Sequence, residues 1–400
     1  MSILSATLGR VRPSPTIAMT SRARALRAEG RDIISLSAGE PDFDTPAHVR
    51  EAAKAAIDAG HTRYTNPDGI AELKAAIREK FRRENAITYA DDEVMVSAGG
   101  KQVIFNAFVA TLDPGDEVVI PAPYWVSYPD MVTLAGGSPV IVPTSAEDRF
   151  CLRPEALESA ITPRTKWLVL NSPSNPTGSA YSAEELAALA DVLRRHPDVW
   201  VLSDDIYEHI LFDDLRFATI AAVDEEMRAR TLTVNGVSKA YAMTGWRIGY
   251  GGGPAPLVRA MVKVQSQSTS CPPSVSQHAA LAALTGPQDF IATARAAFRR
   301  RRDLVVQRLD EAPGIVCPRP EGAFYVYPSI ADCIGRQTRE GRRIKTDEDF
   351  AMALLEEAGV AVVFGAAFGL SPHFRVSYAT DDRTLEDACA RIAEFTAALV

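Results

Sequence analysis

RTLTVNGVSKAYAMTGWRIGY, residues 230–250, opens on an apolar run from Thr231 to Val234 that reads as a buried strand. Lys239 follows just past the strand's end, beside Ser238, and Arg247 comes later in the same stretch. A lysine there is placed to form an imine with a carbonyl compound. An arginine close by suits a phosphate carried on that compound. Taken alone, the two residues fit a solvated surface loop as well, and the surrounding sequence separates the two readings.

On either side, apolar runs alternate with helical patterns. EVMVSA (93–98), EVVIPA (117–122), SPVIVPT (138–144), TKWLVLNS (165–172) and VWVLSDD (199–205) precede the stretch, and WRIGYGGG (246–253) closes it. VIFNAFVATL (103–112) and SAEELAALADVLRR (182–195) are two of the intervening helices, the second with a Ser182–Glu185 capping box. Near-continuous apolar strands alternating with helices predict an α/β fold, a mostly parallel seven-stranded sheet with helices on both faces. Beyond Gly314 the texture changes to GIVCPRPEGAFYVYPSI, read as two strands and a turn. The helix DEDFAMALLEEAG, the strands in VAVVFGAAFG and HFRVSYA, and a terminal helix follow. We assign an N-terminal arm (1–13), a small α+β domain (14–45 with 296–400) and a large domain (46–295). Thr45-Pro46 is expected to cap the helix AHVREAAKAAIDAG. The Arg299–Arg302 run reads as a solvated helix face or a contact between domains.

Composition narrows the function. A formal charge of −8 argues against nucleic acid as the main partner. The five cysteines are scattered, with no CxxC pair, which fits a reducing cytoplasm better than a disulfide framework. The histidines show no metal-ligand spacing, no metal site is expected, and no apolar run is long enough to span a membrane.

In an open α/β sheet, ligands bind at the carboxyl ends of the strands. Those ends carry Gly99-Gly100-Lys101, Tyr124-Trp125, Asn175, Asp204 with Asp205 and Tyr207, and Ser238-Lys239. Together they describe a site for pyridoxal 5′-phosphate. Asp204, three residues before Tyr207, faces the pyridine nitrogen and keeps it protonated; Asp205 is out of register for that role. Tyr207 and Asn175 donate to the phenolic oxygen, and Trp125 offers a face for stacking. The amides after Gly99 and Gly100 face the phosphate at a helix N-terminus, with Arg247. Lys239 forms the imine and then shuttles a proton. Arg375, in FRVSYA, suits a substrate α-carboxylate.

SLSAGEPDFDTP, RYTNPDG, PYW, NSPSNPTG, SDDIYE, SKAYAMTGWRIGY and FRVSYA, in this order, resemble the fold-type I, class I/II aminotransferases. GGKQ, PYWVSYP and the TVNG–SKAYAMTGWRIGY block are similar to subgroup Ib, the aspartate and bifunctional aspartate/prephenate aminotransferases. The resemblance implies that Lys239, Asp204, Tyr207, Asn175 and Trp125 hold the ring, and that Gly100, Lys101, Ser238 and Arg247 lie around the phosphate. It implies that Arg375 binds the α-carboxylate, with Gly39 at the same group. Tyr64 would reach the neighbouring subunit's phosphate, which implies a homodimer with shared active sites.

One departure bears on substrate. VQSQSTSCPP lacks the arginine that grips a side-chain carboxylate in other aspartate aminotransferases, and Ser266 takes its place. Subgroup Ib resembles this chain in using Lys101 instead. Arg12, in the arm, is either a further contact for prephenate or a surface charge. The expected substrates are small dicarboxylate amino and oxo acids. The expected activity is aspartate plus 2-oxoglutarate to oxaloacetate plus glutamate, with prephenate as a second acceptor. The alternatives are an aromatic or other aminotransferase or carbon–sulfur lyase of this fold, or a non-catalytic cofactor-binding regulatory domain, which would carry an added DNA-binding domain.

Overall fold

The computed structural model describes residues 3–11 and 13–400; Arg12 lies outside the described residues. Pro15 takes the first helical position of α1 (Pro15–Ala28), where a missing N–H costs no hydrogen bond. A short strand β1 (Ile34–Ser35) and helices α2 (Ala47–Asp58) and α3 (Ala71–Asn85) follow. Thr45 does not cap α2. Its hydroxyl donates to Ala242 O at 2.7 Å and accepts from Trp246 Nε1 at 3.0 Å. Two partners in the turn beyond Lys239 draw it away from the helix amides.

The chain then alternates through β2 (Val94–Ser97), α4 (Gly100–Thr111), β3 (Glu117–Ala122), α5 (Tyr128–Leu134), β4 (Ser138–Pro143) and α6 (Pro154–Ala160). It continues through β5 (Thr165–Asn171), α7 (Ala183–Arg194), β6 (Trp200–Asp204), α8 (Glu225–Arg228), β7 (Thr231–Gly236) and β8 (Gly249–Gly252). Helices α9 (Ala255–Ser268) and α10 (Ser274–Thr285) complete this part. The seven strands line up in the order β2-β8-β7-β6-β5-β3-β4. Only β8 runs against its neighbours, so β2 to β7 end on one side of the sheet.

Alternation along β5 shows why the strands are apolar throughout. Trp167 and Val169 pack with Phe108 of α4 and Met261 of α9, while Leu168 and Leu170 pack with Leu186 and Leu189 of α7. Each such side chain contributes about 1.5–3 kcal/mol on burial.

The C-terminal part comprises α11 (Asp289–Asp310), β9 (Tyr325–Val326), α12 (Asp347–Ala358), β10 (Val360–Ala361), β11 (Val363–Phe364), β12 (Phe374–Ser377) and α13 (Asp382–Ala397). β1 pairs with β10, and β12 lies between β11 and β9. The two strands expected from residue 314 onward reduce to β9 and a bridge between Val316 and Ser329. Pro318 and Pro320 lack the amide a ladder needs.

One apolar cluster joins Met19 and Leu36 to Phe298, Leu354, Phe374 and Ile392, and takes in Tyr207 and Phe212 from the other part. Helix α11 runs unbroken through residue 296. Two of its arginines are buried rather than solvated. Arg301 is bidentate to Asp42 at 2.7 and 2.8 Å, and Arg302 to Asp213 at 2.6 and 2.9 Å. Among the described residues no helix is long and apolar enough to cross a membrane.

Candidate active site

The strand ends border a cavity of about 300 Å³, large enough for a small-molecule ligand. Asp204 ends β6, level with Asn171 on β5 and Val234 on β7. The strand alternates at this point, so Asp204 faces the cavity while Asp205 turns away and accepts from Ser203 Oγ at 2.7 Å. Asp204 Oδ2 accepts from Tyr128 Oη at 2.6 Å, and Oδ1 accepts from Ile206 N at 3.3 Å. Burial pushes its carboxyl up to about 6, against the pull of Tyr128. A cationic group docked on it would restore full ionisation.

Lys239, past the end of β7, donates from Nζ to Gly39 O at 2.5 Å and lies 5.8 Å from the Tyr207 ring centre. Burial brings its amine down to about 8; Glu40 opposes this, and Arg375 and Arg247 reinforce it. A large fraction is therefore neutral and nucleophilic near pH 8. Across the cavity, Tyr207 Oη lies 2.8 Å from Tyr325 Oη. Arg375 is 2% exposed. It donates to Asn175 Oδ1 at 2.9 Å and to Ser37 O at 2.6 Å, between the Tyr325 and Phe368 rings, and its Nε has no partner.

Gly99 caps α4 with φ +93°, and a Cβ on it would collide with the Arg247 guanidinium. A Cβ on Gly249 would collide with the Gly100 amide. The absent side chains press β8, Arg247 and the start of α4 together. The first α4 amides, which have no intrahelical acceptor, thus share one cradle with Ser238 and Arg247. Arg247 is steadied by Thr244 O at 2.8 Å and Ala98 O at 3.3 Å. Lys101 lies beside this cradle with its ammonium 4.8 Å from the Trp125 ring centre.

Charge completes the picture. Lys101, Lys239, Arg247 and Arg375 line the cavity, and among the described residues none of them has an ion-pair partner. Among the described residues, the one carboxylate lining the cavity is Asp204. Such a surplus of cations suits ligands with several negative charges.

Of the expected site residues, Gly39, Gly100, Lys101, Trp125 and Asn175 line the cavity. So do Asp204, Tyr207, Ser238, Lys239, Arg247 and Arg375. Gly99 sits just behind it as the cap of α4. Tyr64 lies outside and is 91% exposed. Ser266 is exposed on α9, bonded to Lys263 O at 2.8 Å. Sequence reasoning missed Tyr128, Tyr325 and Asn171. Asn171 donates to Asp204 O at 2.8 Å and accepts from Asn175 N at 2.8 Å, shaping the turn that presents Asn175. Its signal was its place at a strand end. The tyrosines lie among apolar residues, where an aromatic reads as core.

A sheet with this order, ligand groups at its strand ends and a lysine beyond β7 define a class of enzyme. The class I and II aminotransferases match residues 31–392, and the chain belongs to that family. It is 65% identical over 399 residues to the aspartate/prephenate aminotransferase of Cereibacter sphaeroides, covering 100% of both chains. Its fold is similar to the crystal structure of the Rhizobium meliloti aspartate aminotransferase, with 54% identity, TM-score 0.97 and 100% of each chain covered. The Thermus thermophilus aspartate aminotransferase with maleate follows, at 47% identity and TM-score 0.92 over 99% of this chain and 100% of that one.

Proposed function

We propose that the cavity holds pyridoxal 5′-phosphate and that the chain is an aspartate aminotransferase. It takes the amino group of aspartate and passes it to 2-oxoglutarate, with prephenate as a second acceptor. The observation that carries this is the set of four unpaired cations facing one carboxylate, Asp204. A dianionic phosphate, a pyridinium and a dicarboxylate together answer that pattern. The relatives' names support the substrate, and maleate, bound by the Thermus thermophilus protein, is itself a dicarboxylate.

Pyridoxal phosphate supplies the carbonyl that accepts the amino group and an electron-poor ring that acidifies the substrate's α-carbon. The chain does the rest. Asp204 pairs with the ring nitrogen, and Tyr128 keeps that carboxylate aimed. Tyr207 and Asn175 donate to the ring oxygen, and Trp125 stacks on the ring. The Gly100 amide, Ser238 and Arg247 bind the phosphate, and Tyr64 contacts the phosphate of a second copy in a homodimer. Arg375 clamps the α-carboxylate beside Gly39, and Lys101 takes the distal carboxylate. Lys239 Nζ accepts the proton leaving the substrate α-carbon and returns it after transfer. The small domain (14–45 with 296–400) closes over the large one (46–295) and excludes water. The chain works in the cytoplasm.

Two replacements probe this assignment. Lys101→Ala is expected to lower kcat/KM for aspartate about 10–100-fold, the loss of one charged hydrogen bond, and to leave alanine turnover nearly unchanged. Full retention of the preference for aspartate over alanine would remove Lys101 from the distal carboxylate. Tyr128→Phe removes the donor to Asp204 and is expected to weaken cofactor binding about 10-fold, read as the Kd for pyridoxal phosphate. The function itself is tested by single-turnover absorbance spectra with aspartate, glutamate and alanine, followed by acceptor screening with oxaloacetate, 2-oxoglutarate and prephenate. Absence of prephenate turnover removes the second acceptor and leaves the first.

A further inference from the structure

Behind the loop that carries Asp204 and Tyr207, outside the cavity, lies a second cluster of charged groups. Lys80 on α3 is 1% exposed, and Glu208, directly after Tyr207, is 6% exposed. The Lys80 ammonium donates to Glu208 Oε1, and to Asn85 Oδ1 at 2.8 Å. Asn85 Nδ2 donates to Glu208 Oε2 at 2.6 Å, so both carboxylate oxygens are held. Glu84 lies 3.6 Å from Lys80 Nζ and 3.0 Å from His209 Nε2. Glu84, Glu208 and His209 gather as metal ligands would, but the Lys80 ammonium already supplies the cation between the carboxylates. Burial raises the Glu208 carboxyl, and Lys80 and His209 more than reverse this, leaving it lowered and ionised.

A buried ion pair is weak evidence for stability. The place of this one is more informative. Tyr207 and Glu208 leave the loop in opposite directions, toward Tyr325 in the cavity and toward Lys80 behind it. The backbone between them forms one tight turn, with Glu208 N to Asp205 O at 3.0 Å and Ile210 N to Tyr207 O at 2.8 Å. Asp205 N ties the turn to Val234 O of β7 at 2.9 Å, the strand that leads to Lys239. The Tyr207–Glu208 peptide is thus fixed from the front by a phenol and from behind by a charge.

We propose that Lys80, Asn85 and Glu208 form a buried clamp that positions Tyr207 against the ring oxygen of the cofactor. They are positioning residues and touch neither substrate nor cofactor. The assignment rests on the reading that the cavity binds pyridoxal phosphate. A phenol displaced from its place donates a weaker hydrogen bond. A less stabilised ring oxygen raises the pH at which the visible absorbance of the bound cofactor changes.

The test compares holoenzymes of wild type, Tyr207→Phe, Glu208→Gln and the double variant Lys80→Met/Glu208→Met. The double variant removes both charges of the pair, and Glu84, which loses Lys80, keeps His209 at 3.0 Å. The readouts are the pH midpoint of the visible band, the Kd for pyridoxal phosphate and the unfolding temperature of the cofactor-free protein. The clamp predicts a folded double variant whose midpoint moves up by about one pH unit, toward that of Tyr207→Phe. Its Kd should rise about tenfold, and adding Tyr207→Phe should shift the midpoint little further. A folded double variant that keeps the wild-type midpoint and Kd, whatever its unfolding temperature, overturns the clamp. A wild type without any titrating visible band overturns the cofactor reading itself, and the clamp falls with it.

Discussion

Replacing Lys239 by alanine is expected to lower the rate of amino-group transfer by at least about 10⁴-fold. Its amine, brought down to about 8, takes and returns the α-carbon proton in the proposed reaction. In the wild type its neutral fraction grows as pH rises through that value, so covalent uptake of pyridoxal phosphate should accelerate and level off above about pH 8. Arg247 and Asp204 remain in the variant, which should still bind the cofactor non-covalently. Stopped-flow spectra with aspartate separate the two effects: cofactor retained, though less tightly, with a collapsed rate is the expected pattern. A rate within about tenfold of wild type would assign the proton to another group.

Arg375→Lys should lower kcat/KM for every α-amino acid by about 10²–10³-fold, or about 3–4 kcal/mol. The guanidinium is held by Asn175 and Ser37 O and flanked by two aromatic rings, and among the described residues no carboxylate pairs with it. A lysine ammonium cannot reproduce the two-pronged contact with a carboxylate. Because the α-carboxylate is common to aspartate and alanine, both should lose equally, in contrast to Lys101→Ala. Steady-state kinetics with both donors checks this, and a loss confined to aspartate would move Arg375 to the distal carboxylate.

Much of the fold could be read from the chain because its signals are local. The six strands that run the same way are short apolar runs, and several lead into polar residues at the end that borders the cavity. Asp204, Asn175 and Lys239 were legible for that reason. The small C-terminal strands were less so: β1 pairs with β10 across most of the chain, and prolines interrupt the run before β9. Lys80 was not legible at all. In AELKAAIREKFRREN a lysine reads as the solvent face of an amphipathic helix, and only the packing of α3 against the Glu208 turn buries it. Arg301 and Arg302 were ambiguous for the same reason, since a basic run does not say which of its charges meets a carboxylate. Tyr128 and Tyr325 look like core from sequence because aromatic side chains serve both purposes. Their hydroxyls matter only once Asp204 and Tyr207 are brought within hydrogen-bond reach.

The most direct test is hydride reduction of the protein loaded with pyridoxal 5′-phosphate, followed by peptide mapping of the modified residue by mass spectrometry. One modified side chain, Lys239, is the predicted result. No modification, or modification at another lysine such as Lys101, would contradict the assignment of this cavity.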